Sequence, residues 1–371
     1  MGNLKSGLFI NLYDEDTLQL YLNNNIYGFL MPYNKRIMPQ SRHFNALADY
    51  ACAREGTHVF FFLKRKIVYG GRIIGNRKIG SFYLNGNKSP LGELNDAKLA
   101  WDESFRYVPS DKNGVFLVKN NNGELQEKYQ PYLILFEDDK ELHKGTSIVS
   151  DKLYFELGNY GYPMPSNSIS GMGFCTLTPG ETDIALRLLK ESNENILDSN
   201  YKEKDKKYLI GEPIKFDGNC GFDKLSKAYK DKLLINEAHI EASILANPNL
   251  LPSEVQPNEN DVLCRQVPIS PFKPENMDRA DICIYEKDSI LNGTIPNHII
   301  ELKKNKANKK VIEQVQRYLK WIQLVLRDNP KLFEKVRVSI LAPDYTKNVK
   351  EAISKEYESK ITLYTFDGEK Y

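Results

Sequence analysis

The stretch that most constrains this chain is residues 277–303, M-D-R-A-D-I-C-I-Y-E-K-D-S-I-L-N-G-T-I-P-N-H-I-I-E-L-K. Two short apolar runs, Ala280 to Tyr285 and His298 to Lys303, read as strands. Asn292-Gly293 between them is a hairpin signal. Side chains alternate along a strand, so Glu301 and Lys303 share one side and Leu302 takes the other. Asp281 sits near the start of the neighbouring strand. Ile299-Ile300 makes the second strand apolar enough to be central, where a charge such as Glu301 is costly without a partner or a metal ion. Two acids and an amine so placed predict a metal-assisted hydrolytic centre. The E-x-K pattern alone is common. Glu358-Ser359-Lys360 repeats it and reads as the end of a surface helix.

At 371 residues the chain is long enough for two domains. Hydrophobic residues make up 41% and charged residues 27%, the balance of a soluble globular protein. The net charge of +2 excludes a uniformly basic surface, so any contact with a polyanion must be local. The five cysteines form no C-x-x-C pair, which argues against a structural zinc site or a disulfide framework and fits a reducing cytoplasm. No apolar run reaches bilayer length, so a membrane partner is not expected.

Residues 1–190 read as a β-rich half with short helices. Strands are expected at G-L-F-I-N-L-Y, on either side of the basic turn Lys64-Arg65-Lys66, and over 79–84, 115–118 and 131–137. Short helices are expected at D-E-D-T-L-Q-L-Y-L and over 44–53. Residues 158–180 are rich in Gly, Pro, Ser and Asn and read as a loop, with a helix starting after Thr178. The charged stretch 191–223 reads as a linker and 224–371 as a second, α/β domain. There a helix should end before Asn247-Pro248 and V-L-C-R-Q-V-P-I should be a strand. A long amphipathic helix should bury Val311, Val315, Tyr318, Leu319, Ile322 and Leu326. A strand, an exposed helix near 347–357 and a last strand complete the chain.

The segment G-T-H-V-F-F-F-L-K-R-K-I-V-Y-G-G-R-I-I-G, following a helix, is similar to PUA-like domains, including the EVE type. That resemblance implies a curved sheet or small barrel and a pocket for a flipped or modified base, with Trp101, Phe105, Tyr107 and Tyr83 as aromatic candidates. The bland alternative, that these rings are core, stands beside it.

A helical acid, a strand with Asp281, a strand with Glu301-Leu302-Lys303 and a helix with Gln314 and Tyr318 together resemble the PD-(D/E)XK nuclease superfamily. The finer pattern is similar to its replicative-mismatch endonuclease branch: acids followed by N-P-N-L-L over Glu237 to Leu251, and I-E-L-K followed by Gln314 to Trp321. The resemblance spans 235–345. Ala280 replaces the signature's leading proline, and the long Asp281–Glu301 spacing implies an elongated hairpin.

The resemblance implies a restriction-endonuclease-like αβββαβ core and hydrolysis of phosphodiesters with Mg²⁺, for which Mn²⁺ substitutes. Asp281, Glu301 and the Leu302 carbonyl would hold the metal, and Lys303 would steady the attacking water or the phosphate's added charge. Glu241, or Glu237 four residues earlier, would serve a second metal, and Gln314 would orient water or phosphate. Lys304, Lys309, Lys310 and Tyr318 would contact nucleic acid. The expected function is a restriction-type endonuclease, reading a base modification through its N-terminal half and cutting double-stranded DNA as a homodimer. The alternatives are a mismatch-type repair nuclease, a nucleotide-regulated defence nuclease and a non-catalytic nucleic-acid-binding protein.

Overall fold

A computed structural model describes residues 4–12, 14–28, 31–32, 41–63, 66–74, 79–83, 107–109, 115–119, 122–129, 132–139, 142, 148–149, 174–197, 236–269 and 278–365. The fold is mixed α/β, with a curled sheet in the first half and a second sheet in the last third.

The first sheet is built from β1 (Gly7–Leu12), β2 (Ile26–Tyr27), β4 (His58–Leu63), β5 (Lys66–Ile73), β6 (Ser81–Tyr83), β10 (Tyr132–Asp138), β11 (Ile148–Val149) and β12 (Phe174–Leu177). Its order is β12-β1-β4-β5-β10-β2, with β11 against β5 and β6 against β10. Among the described residues of this sheet, only β1 and β4 pair in parallel. The β4–β5 register slips between Phe61 and Phe62, a bulge that tightens twist and helps the sheet curl. As the apolar run predicts, Val59, Phe60, Phe61 and Leu63 are buried. A smaller sheet joins β3 (Met31–Pro32), β9 (Leu125–Tyr129), β8 (Val115–Lys119) and β7 (Tyr107–Pro109) in that order.

Helix α1 (Glu15–Asn24) starts on Asp14, whose side chain accepts from the Thr17 amide at 2.7 Å. Helix α2 (Ser41–Cys52) covers the curled sheet with Phe44, Leu47 and Tyr50. Helix α3 (Pro179–Leu197) opens with a capping box: Glu181 accepts from the Thr178 amide and Thr178 Oγ1 from the Glu181 amide. It runs past position 190, and 198–235 lie outside the described residues.

In the last third, α4 (Glu237–Ala246) is capped by Asn236 and stops at Asn247-Pro248 as expected. Then β13 (Val262–Pro268), β14 (Arg279–Tyr285), β15 (His298–Leu302), β16 (Arg337–Ala342) and β17 (Ile361–Thr365) form one sheet in sequence order. The first three are antiparallel and the last two continue parallel to β15. The β14–β15 link is indeed long. Leu291, Asn292 and Gly293 all take left-handed backbone, and a Cβ at Gly293 would fall 2.5 Å from the Pro179 side chain at the start of α3. Helix α5 (Lys309–Val325) buries the apolar stripe read from its periodicity.

The exposed helix expected near 347–357 is instead two single 3₁₀ turns, Lys350–Ala352 and Lys355–Tyr357. Ser354 is extended between them because its amide donates to Gln316 on α5, and Tyr357 is buried beside Phe333. Lys360 is also not at a surface. It is buried, with Nζ 3.0 Å from Glu334 Oε2 and 5.1 Å from the Phe333 ring centroid.

One hydrophobic core holds side chains from both sides of 191–223. Leu8, Phe44 and Tyr50 belong to it, and so do Ile240, Ile244, Ile282, Ile300 and Leu302. A second, under α5, is made from the last third alone apart from Leu4 at its edge. The proposed strand pair thus lies between an apolar layer shared with the first half and one of its own.

Candidate active site

The β14–β15 ladder runs through Ile284↔His298, Cys283↔Ile299 and Ile282↔Ile300, where its pairing ends. Asp281 and Glu301 occupy the next positions in register, where the strands part. The Asp281 carboxylate replaces the missing ladder contact: Oδ2 accepts from the Leu302 amide at 2.7 Å. Its other oxygen accepts from Gln266 Nε2 at 3.1 Å. Glu301 is buried, and its Oε1 accepts from Lys303 Nζ at 2.9 Å. Lys303 Nζ also donates to the Leu302 carbonyl at 2.8 Å and stands 3.8 Å from Glu237 Oε2. Its side chain is 24% exposed, so the amine marks the open side of the cluster.

Burial pushes the Asp281 carboxyl up to about 7, with the Glu241 charge adding to the shift. Burial and then the Asp281 charge push Glu301 up to about 8. Lys303 and the Leu302 amide pull the other way without cancelling the rise. Burial alone would lower the Lys303 ammonium, but Glu301 and Asp281 more than offset it, and Lys303 stays charged.

A buried and a half-buried acid, with one amine, form an electrostatically incomplete cluster. Its oxygens are hard donors of the kind Mg²⁺ and Mn²⁺ take. A cation there would replace the protons that burial retains on the carboxyls. Among the described residues no group of three or more His, Cys, Asp or Glu forms a ready metal cage. Asp281, Glu301 and the Leu302 carbonyl would supply part of a shell, and Mg²⁺ commonly keeps waters for the rest.

Helix α5 supports this cluster from below. The Tyr318 hydroxyl lies 3.3 Å from Glu301 Oε2 and 2.8 Å from the Arg279 carbonyl oxygen, and it accepts from Gln314 Nε2 at 2.6 Å. Tyr318 is fully buried. Sequence reading placed it among nucleic-acid contacts, and the structure corrects that: it braces Glu301 from inside, and Gln314 braces Tyr318. The amphipathic stripe of α5 already carried the signal, since Tyr318 lies in its middle. Lys304, Lys309 and Lys310 are exposed, and the Asn308 side chain caps α5 by accepting from the Lys310 amide.

Glu241 is also placed differently from the expectation of a second metal ligand. It is buried and gripped by Arg265, with Nε to Oε1 at 2.9 Å and Nη2 to Oε2 at 2.6 Å. Arg265 Nη1 meanwhile pairs with Asp49 of α2. With both Glu241 oxygens taken by one guanidinium, Glu237 is the helical acid that faces the open side, near Lys303. Arg265 and Asp49 were missed in the sequence because they are 216 residues apart and belong to no local pattern.

His239 stacks on Phe44 at 4.9 Å and His298 Nε2 lies 2.7 Å from Ser339 Oγ. Both are in the core, where burial holds their imidazoles down at about 4. Of the aromatic base-pocket candidates, Trp101 and Phe105 lie outside the described residues, and Tyr83 and Tyr107 sit in β6 and β7. A cavity of about 770 Å³ opens elsewhere, between Ser6–Leu8, Cys52–Thr57 and Gln256–Leu263. It contains none of the charged groups of this cluster, so its size does not make it the site of chemistry. Among the described residues no helix is long and apolar enough to cross a membrane.

No protein-family model matches this chain, and no curated protein matches it. Three solved structures are similar to parts or most of it. A repair endonuclease from Pyrococcus abyssi is 18% identical over 43% of this chain and 55% of its own, with a TM-score of 0.23. The apo form of EndoMS is 19% identical over 36% of this chain and 46% of its own, with a TM-score of 0.24. An EndoMS-dsDNA2 complex is 12% identical over 94% of this chain and 99% of its own, with a TM-score of 0.21. The chain thus spans about half the length of the first two. At these TM-scores the likeness carries no argument about fold or family, and the case for chemistry rests on the residues.

Proposed function

We propose that this protein is a metal-dependent DNA endonuclease whose centre is Asp281, Glu301 and Lys303. The observation that carries the reading is the meeting of the buried Glu301 carboxylate, the half-buried Asp281 carboxylate and a partly open amine where β14 and β15 part. A buried acid pair destabilises a fold unless something uses it. Asp281, Glu301 and the Leu302 carbonyl would hold Mg²⁺, which when bound would supply positive charge against the phosphodiester and lower the pKa of water.

The chain's own residues then have distinct tasks. The Leu302 amide fixes Asp281, and Tyr318 with Gln314 fixes Glu301. Lys303 faces the opening with one remaining donor for charge that builds on the phosphate. Lys304, Lys309 and Lys310, all exposed, would meet neighbouring phosphates. A cytoplasmic enzyme acting on double-stranded DNA as a homodimer is part of this proposal, one centre per strand.

Two biological roles share this chemistry. In restriction, the N-terminal half would read a sequence or a modified base. In repair, it would read a distorted duplex. The test is a cleavage assay on methylated, unmethylated and mismatched DNA with Mg²⁺ or EDTA. Cutting with Mg²⁺ that EDTA abolishes is expected. Preference for a methylated or defined sequence favours restriction, and preference for the mismatch favours repair. No cutting of any duplex with Mg²⁺ or Mn²⁺ would overturn the reading.

A further inference from the structure

The strand beside Asp281 contains a backbone anomaly. Gln266 lies inside β13 with φ of 50°, a left-handed conformation that is strained for a residue with a side chain. The flanking pairs Arg265↔Ile282 and Val267↔Ala280 are in register, so Gln266 stands opposite Asp281. The left-handed residue also shifts the strand's alternation. Val262 and Cys264 face the core under α5, and after Gln266 it is Val267 and Ile269 that do so. Gln266 is therefore released from that core to the side that Arg265 already occupies, and both reach the same carboxylate. Arg265 grips Glu241, and Gln266 Nε2 is 3.5 Å from Glu241 Oε1 and 3.1 Å from Asp281 Oδ1.

We propose that Gln266 is a positioning residue of the centre: its strained backbone aims an amide at Asp281 and fixes that carboxylate for a divalent cation. This rests on the endonuclease reading and deepens it. A regular strand residue at 266 would continue the alternation and point into the α5 core. The distortion thus brings a neutral donor to the cluster, where another charge would add to the repulsion between acids. It also joins the cluster to the Asp49–Arg265–Glu241 contact between the two halves of the chain.

The test uses two variants of the full chain. Gln266→Gly removes the amide and relieves the φ cost, and Gln266→Asn keeps tolerance of left-handed backbone but draws the amide back by one methylene. Mn²⁺ affinity is measured by calorimetry on DNA-free protein, with thermal melting and Mg²⁺-dependent cleavage alongside. Gln266→Gly should melt no lower than the parent, yet bind Mn²⁺ about 10- to 100-fold more weakly, the usual size of an outer-shell loss. Gln266→Asn should show the same direction, and cleavage should fall with affinity in both. Parental affinity and cleavage in both variants would overturn the proposal while leaving the endonuclease reading intact. Loss of folding in both would make Gln266 a residue of stability alone and overturn it too. A parent protein that neither binds Mn²⁺ nor cuts DNA would remove the endonuclease reading and this inference with it.

Discussion

Two clusters of buried charge sit a few residues apart and are resolved in opposite ways. Around Arg265, two carboxylates from different helices meet one guanidinium. Glu241 is held at two points and Asp49 at a third. Burial pushes both carboxyls up, and the adjacent guanidinium pulls them only part of the way back. The planar fork satisfies the acids geometrically, and this cluster is glue between α2, α4 and β13. Around Asp281 and Glu301, two carboxylates meet one amine that is partly in water. There the acids are raised as well, but the amine that meets them stands on the open side. Composition is the same in both: two acids and one base. Geometry and solvent access separate a structural contact from a site poised to take a cation.

That contrast can be broken experimentally. The largest effect is expected from Arg265→Met, which strands Asp49 and Glu241 in the core. Stability should fall by about 3–5 kcal/mol, read by urea denaturation. Replacing Asp49 and Glu241 by leucine in the same protein should recover most of the loss. An Arg265→Met protein as stable as the parent would show that the pairing contributes nothing.

The second cluster should respond in the other sense. Lys303→Ala should lower cleavage about 10²- to 10³-fold, the size of one lost transition-state donor, with little change in melting temperature. Glu301→Gln should also stop cleavage while raising the melting temperature, because burial and Asp281 hold the Glu301 carboxyl up at about 8, a cost to folding that a neutral amide does not carry. Falling activity with rising stability distinguishes a functional acid from a structural one. Loss of stability in both variants would make the two clusters alike.

The smallest effect concerns pH. The His298 imidazole is held down at about 4 in the folded state by burial, with Arg337 adding to it, against about 6.5 when unfolded. The unfolded chain therefore binds the proton first. The contribution of neutral His298 is full above about pH 6.5 and is lost as pH falls toward 4. His298→Gln should flatten the decline of stability between those values, measured by denaturation at several pH values. An unchanged slope would place the acid sensitivity elsewhere.

Much of the fold was legible because local physics set it. The apolar run at Val59–Leu63, the α5 stripe, the stop at Asn247-Pro248 and the long link before His298 all follow from spacing and from proline and glycine chemistry. The Asp281–Glu301–Lys303 arrangement was legible for the same reason: strand alternation decides which side chains share a face. The exposed helix near 347–357 was misread because its propensity lost to two tertiary contacts, Ser354 on Gln316 and Tyr357 beside Phe333.

The sequence by itself determined which residues could form a centre and on which strands they would lie. Only the tertiary structure decided that Arg265 claims Glu241, that Tyr318 is a buried brace, and that Gln266 leaves its regular path to reach Asp281. Periodicity encodes which face of an element is buried. It does not encode which charge is met there, because that partner arrives from another element far along the chain.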